Sequence, residues 1–221
     1  MGDLMNVVFG AGGVAREIAW MLRESVQQVA GDLAPDAFVI ADADWTADLR
    51  LEDKPVISES DFLKQNTQQS INVFLALGLP SIKQRVISAI GARKEYSFPN
   101  LIHPKSSMDS RSGKIILGRG VVLYPCASLT TDISIGDFVH INPGATVAHE
   151  SCIGSFSTLC PGSHISGRVS IGPGCFVGAG AVIREGLNIA AGCLIGAGAV
   201  VVESIAEPGT WVGVPARKMH P

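Results

Sequence analysis

His149 and Glu150 stand side by side in a chain with only five histidines, the others being His103, His140, His164 and His220. A carboxylate next to an imidazole orients the ring and stabilises its protonated form, which a general base needs when it takes a proton from an amine or hydroxyl. Asn142, seven residues earlier, adds an amide that can position the base or the group it acts on. Eighteen residues after His149 comes Gly167, which carries no side chain. A second constellation lies near the start. The run from Gly10 through Gly12 and Gly13 to Ala15 satisfies the loose Gly-x-Gly-x-x-Gly/Ala pattern, in which helix amides favour an anion and glycine lets it come close. The same glycines also suit a plain tight turn. Asp42 lies where it can reach a ribose, a base or a sugar amine, or simply face solvent in its loop.

A repeat positions the first constellation. From Leu117 to Val201 every sixth residue is Leu, Ile or Val: Leu117, Leu123, Leu129, Ile135, Ile141, Val147, Ile153, Leu159, Ile165, Ile171, Val177, Ile183, Ile189, Ile195 and Val201. Helices repeat every 3.6 residues and strands every two, so neither asks for six. A strict period of six is the pattern of a hexapeptide-repeat parallel β-helix. Three hexapeptides make one triangular coil there, so residues 18 apart stack in columns. Four residues after each aliphatic stands a modest side chain, such as Ala127, Ser151 or Cys175, as the second inward position of a narrow prism requires. Gly118, Gly136, Gly154, Gly172, Gly178 and Gly196 directly follow an aliphatic, where corners are expected to need permissive backbone. In this register His149 occupies a corner and points away from the core. Gly167 stacks on it and is expected to leave room beside the imidazole for a thioester. Pro143, Pro161, Ala179 and Ala197 form another column, flat enough to line a groove for a thin pantetheine arm.

The first hundred residues follow a different rule. Asn6–Phe9 reads as a buried strand, 14–29 as an amphipathic helix, Phe38–Ala41 as a second strand, Ile71–Leu77 as a third closed by Gly78, and Ser81–Ile90 as a helix. The predicted fold class is therefore a small Rossmann-like α/β N-terminal domain followed by a parallel β-helix and a short C-terminal tail. The expected boundaries are 1–98, 99–204 and 205–221, with irregular chain between Tyr96 and His103 as the bridge. About ninety residues are few for the two halves of a full dinucleotide site, so a single nucleoside diphosphate fits better.

Composition removes other classes. A net charge of −3 offers no basic surface for nucleic acid. The five cysteines (Cys126, Cys152, Cys160, Cys175, Cys193) all fall inside the repeat without CxxC spacing, which argues for a reducing compartment and against a disulfide scaffold or zinc site. His140, His149 and His164 fall in different columns, so one chain does not cluster them around a metal. No signal peptide and no membrane span is read, and a soluble cytoplasmic protein is expected.

Several stretches together carry a family resemblance: VVFGAGGVAREIAWML (7–22), LALG with Lys83 and Arg85 after it, FPNLIHPKS (98–106), INPGATVAHESCIGSFS (141–157), SGRVSIG (166–172) and WVGVPARKM (211–219). The chain resembles, over nearly its whole length, the bacterial hexapeptide acyltransferases that N-acetylate nucleotide-linked amino sugars, relatives of the bacillosamine-pathway UDP-4-amino-sugar acetyltransferase. The resemblance implies left-handed coiling and a homotrimer with each active site between two prisms. It implies acetyl-CoA as co-substrate along the prism, no metal, and a UDP-sugar held by the N-terminal domain. His149 then matches the general base, Glu150 its acidic partner and Asn142 the asparagine of the same site. Gly167, Ala179 and Ala197 match cofactor contacts, as does Thr158, where close relatives carry an active-site histidine. Gly10, Gly12, Gly13, Asp42 and Gly78 fall in the nucleotide-sugar site. Val14 and the Leu79-Pro80 pair depart from the pattern.

The reaction so implied is direct attack of a sugar 4-amino group on acetyl-CoA. A GDP-perosamine-type N-acetyltransferase and a sialic acid O-acetyltransferase keep the fold and change the acceptor. A noncatalytic nucleotide-binding scaffold trimer, and a nicotinamide oxidoreductase built on Gly10–Ala15, are readings from other classes.

Overall fold

The computed structural model of the chain describes residues 4–24, 34–65, 69–91, 93–109 and 114–219. The N-terminal region is a six-stranded sheet with helices on both faces. Its elements are β1 (Met5–Phe9), α1 (Gly13–Glu24), β2 (Ala37–Ile40), β3 (Arg50–Leu51), β4 (Lys54–Ser58), α2 (Glu59–Lys64), β5 (Ile71–Leu75), α3 (Pro80–Ile90) and β6 (Tyr96–Ser97). The strand order is β3-β4-β2-β1-β5-β6, parallel throughout except for β3 against β4.

Local chemistry explains the helices. In α1 the apolar residues Ala15, Ile18, Ala19 and Leu22 recur at helical spacing and are buried. The Ser58 hydroxyl caps α2 by accepting the Asp61 amide at 3.1 Å. Pro80 opens α3, where its missing N–H costs nothing, and Gly91 closes it with φ +67°. The expected continuation of α1 to residue 29 lies outside the described residues. The β3–β4 hairpin and α2 are features that the sequence reading passed over.

The rest is a three-sided parallel prism. One face has eight strands, Leu101–Ile102 to Arg217–Lys218, the last of them antiparallel; the second has six, Ser107–Met108 to Val200–Val201; the third has five, Ile115–Leu117 to Asn188–Ile189. Stacked partners are 18 residues apart, as in His140↔Thr158↔Phe176 and Thr146↔His164↔Val182. The periodic aliphatics from Leu123 onward and the second inward column form one buried cluster down the axis. Interior serines serve the next coil: Ser151 Oγ donates to Ser166 O at 3.1 Å and accepts from Val169 N at 3.2 Å.

Three expectations change. The irregular bridge between Tyr96 and His103 shrinks to Phe98–Asn100: Tyr96–Ser97 pairs with β5, and Leu101–Ile102 opens a first coil ahead of the periodic run. The glycines directly after an aliphatic are not there for backbone freedom. A Cβ at Gly178 would lie 2.5 Å from the Ala197 amide nitrogen, so close stacking of coils demands them. Positive φ falls two residues later, at positions such as Gly180 (+65°) and Gly198 (+65°). Finally, the stretch expected as a C-terminal tail includes a strand, Thr210–Val212, which pairs with Leu194–Ile195 and extends the first face.

The sheet domain sits on the first face. Val8, Phe38 and α1 share an apolar cluster with Leu101, Val122 and Tyr124, while Phe138 and Phe156 join the cluster beneath α2 and α3.

Candidate functional site

Two regions bear the candidate residues. The first is a cavity of about 570 Å³ at the C-terminal ends of β1, β2 and β5. β1 leads through α1 to β2 on one side, while β5 leads through α3 to β6 on the other, so the crevice between them lies where strand order reverses. Open parallel sheets bind ligands at such a point. Gly10 (φ +125°) and Gly12 line it; a Cβ at Gly10 would lie 2.8 Å from the Ala76 carbonyl oxygen. Gly13 starts α1 and stays exposed just outside the lining.

Two residues expected here stand elsewhere. Asp42 Oδ1 accepts the Ser60 amide at 2.9 Å, and that bond holds its carboxyl below the usual range. Asp44, at the end of the same short 3-10 turn, lines the cavity instead. Gly78 turns its carbonyl away, toward the prism, to accept the Thr158 hydroxyl at 2.7 Å. The sequence reading also missed an ion pair on the wall. Arg85 Nη1 and Nη2 donate to Glu59 Oε1 and Oε2 at 2.8 and 2.9 Å, joining α3 to α2. No short-range pattern links residues 26 apart, although Arg85 lay within a quoted motif.

The second region is the prism surface. His149 and Glu150 sit at the corner between the second and third faces, with side chains 46% and 57% exposed. His149 Nδ1–H donates to Glu150 Oε2 at 3.0 Å. Nε2 has no hydrogen-bond partner among the described residues. Glu150 holds a left-handed backbone (φ +60°), and Arg168, one coil on, approaches it at 4.0 Å while also pairing with Glu185 at 3.4 Å. Gly167 lies under the imidazole: a Cβ there would be 2.6 Å from both Cε1 and Nε2 of His149. The room left by the missing side chain is thus filled by the ring itself, not kept beside it as expected.

Asn142 is on another corner, between the first and second faces, where its Nδ2 donates to Leu159 O at 2.8 Å. Ala179 and Ala197 share that corner and are exposed. Within one chain, a full prism face therefore separates Asn142 from His149.

Thr158 does not face a cofactor groove. It is 2% exposed, gives its proton to Gly78 and accepts the Lys83 ammonium at 3.0 Å. Lys83 Nζ also donates to the carbonyls of Phe138 (2.9 Å) and Ser157 (3.1 Å), a three-point strut between α3 and the prism. Burial drives this lysine down to about 7. His140, stacked beside Thr158, is buried, and desolvation holds it well below its ordinary value as a neutral ring. His164 shares a hydrogen bond with Thr146 at 2.9 Å, and His103 donates to Glu24 at 3.0 Å while accepting Lys105 N. His220 lies outside the described residues. Among the described residues no group of three His, Cys, Asp or Glu is arranged to hold a metal. No described helix is long and apolar enough to cross a membrane.

Comparison with known proteins completes the site. The bacterial transferase hexapeptide (six repeats) pattern matches residues 153–185. PerB from Caulobacter crescentus, solved in complex with CoA and GDP-perosamine, shares 30% identity over 98% of this chain and 97% of its own, with a TM-score of 0.82. The chain belongs to the hexapeptide-repeat nucleotide-sugar N-acetyltransferases. The acetyltransferase domain of PglB from Neisseria gonorrhoeae FA1090, solved with acetyl coenzyme A, is a second relative with this fold (28% identity, 99% of this chain and 100% of that one, TM-score 0.82). WeeI from Acinetobacter baumannii AYE is a third (26%, 98% and 100%, TM-score 0.82). A comparison with curated protein sequences gives no match. The matches to PerB and to the PglB domain span both regions of this chain.

Proposed function

We propose that the protein transfers an acetyl group from acetyl-CoA to the amino group of a nucleotide-linked amino sugar. One observation carries this reading: an exposed imidazole, seated on Gly167, with Glu150 on Nδ1 and Nε2 open to a substrate. His149 takes a proton from the amine as it attacks the thioester carbonyl; the tetrahedral adduct collapses and CoA leaves as the thiolate, which is protonated. Glu150 stabilises the imidazolium so formed. No covalent enzyme intermediate is needed, because the thioester is already activated.

In this reading residues 1–98 are a Rossmann-like domain that holds the nucleotide at Gly10, Gly12 and Gly13. Residues 99–204 form a left-handed prism bearing acetyl-CoA, and 205–221 close its end. The separation of Asn142 from His149 within one chain supports a homotrimer, where the Asn142–Ala179–Ala197 corner of one subunit faces the His149 corner of the next. The setting is cytoplasmic.

The acceptor that fits the family pattern is a UDP-linked 4-amino-4,6-dideoxy sugar. GDP-perosamine is the second reading, favoured by the 30% identity to PerB. The test is a free-thiol assay with acetyl-CoA against UDP-4-amino-4,6-dideoxy-GlcNAc, GDP-perosamine, dTDP-4-amino sugars and free sialic acid. Rapid CoA release with one amino sugar is expected, and His149→Ala should lower its rate by about 10²–10⁴. A His149→Ala variant as fast as wild type, or CoA release with none of the panel, would overturn the reading.

A further inference from the structure

The cavity at the ends of β1, β2 and β5 has an unbalanced lining. Its charged residues are Asp44, Glu59 and Arg85. Two carboxylates against one guanidinium make a poor home for a diphosphate unless the guanidinium meets it directly. Arg85 is built to do so. Glu59, only 12% exposed at its side chain, takes one N–H from each terminal nitrogen of Arg85, whose own side chain is 53% exposed. Three of its five N–H groups have no partner among the described residues. The buried acid therefore fixes the plane of the fork and leaves the rest of it toward the open cavity. A planar fork matches phosphate oxygens two at a time, which a lysine does not. Gly10 and Gly12 line the same cavity, and Gly12, where an added Cβ would meet nothing within 4 Å, leaves its backbone open to the phosphates.

We infer that Arg85, oriented by Glu59, grips the diphosphate of the nucleotide-linked substrate and makes this cavity select nucleoside diphosphates over nucleosides. The inference rests on the nucleotide-sugar reading and adds a specificity residue to it. Arg85 touches no reacting atom, so its effect is on KM for the sugar nucleotide and on product affinity, with kcat retained at saturation.

The test is calorimetric binding of UDP, GDP, uridine, guanosine and acetyl-CoA to wild-type protein, Arg85→Gln and Arg85→Lys. Arg85→Gln is expected to weaken the better-bound diphosphate by roughly tenfold to a hundredfold, the effect of losing a charge-assisted hydrogen bond. Its nucleoside and acetyl-CoA affinities should stay as in wild type, and Arg85→Lys should recover part of the loss. Equal diphosphate affinity in wild type and Arg85→Gln overturns the inference alone. So does an equal loss for nucleoside and diphosphate, or a loss in both variants matched by a lower melting temperature, which would make Arg85 a structural residue. A wild-type protein that binds acetyl-CoA but neither diphosphate overturns the nucleotide-sugar reading, and the inference falls with it.

Discussion

Two corners of the prism are made from the same hexapeptide and carry opposite surfaces. Between the first and second faces, the left-handed position is Cys126 in one coil and then glycine in four successive coils, at 144, 162, 180 and 198, each preceded by Pro143, Pro161, Ala179 or Ala197. Between the second and third faces the same position holds Asp132, Glu150 and Arg168, with φ between +55° and +60°, before Gly186 takes it in the next coil. A side chain there works against steric preference by roughly 1 kcal/mol per residue. Backbone geometry alone would favour glycine at both corners. The charged corner keeps its side chains despite that strain, as functional sites commonly do. The bare corner offers an exposed surface of small residues; the charged one offers acid–base groups. The proposed reaction needs one of each.

The sharpest break of the contrast is one substitution made at both corners. Gly167→Ala puts a methyl group into the space of the His149 ring without any positive φ to strain the backbone. The ring must swing away, and kcat should fall on the order of 10²-fold, as for an ångström-scale misplacement, with little change in melting temperature. Gly180→Ala meets nothing within 4 Å but must adopt φ +65°. It should lose roughly 1 kcal/mol of stability, about 2–4 °C in melting temperature, and retain kcat. If Gly167→Ala retains full kcat, the imidazole is not poised where the reading needs it.

A smaller effect concerns the joint that holds both corners in relation to the crevice. Lys83 titrates near 7 in the folded chain against 10.5 unfolded. Above about pH 7 the folded state sheds a proton that the unfolded chain keeps, so stability rises with pH through this group. Cys160 and Cys175, raised by burial from 9.0 to about 11, act in the opposite direction above pH 9. Between pH 7 and 9 the melting temperature of wild type relative to Lys83→Met should therefore climb by a few degrees. A flat difference would mean that the buried amine keeps its proton across that range.

What the sequence reveals and hides follows from the range of each interaction. Inward positions see only their neighbours one coil away, so a period of six survives intact from Leu117 to Val201. His149 and Glu150 are adjacent, and Gly167 is one coil on, so counting finds all three. The first coil stayed hidden because Met108, six after the inward Ile102, is not Leu, Ile or Val, and Leu117 follows only nine residues later. Thr158 entered as a cofactor contact only through the family resemblance, and Lys83 and Gly78, 75 and 80 residues distant, cover it. Arg85 and Glu59 meet only through tertiary packing of α2 and α3. The six glycines that follow an aliphatic were visible, yet their cause, coil-to-coil contact and not positive φ, needed coordinates.

The central claim is that the charged corner of one subunit works against the bare corner of another. It is tested most directly by mixing two disabled chains, His149→Ala and Ala179→Trp, the second blocking the exposed groove. Each alone should be nearly inactive. Assembled at random from an equal ratio, with the mixed trimers confirmed, the population should regain about a quarter of wild-type activity, the statistical share of head-to-tail interfaces with both halves intact. Mixed trimers with no recovered activity would contradict the account and place the whole site within one chain.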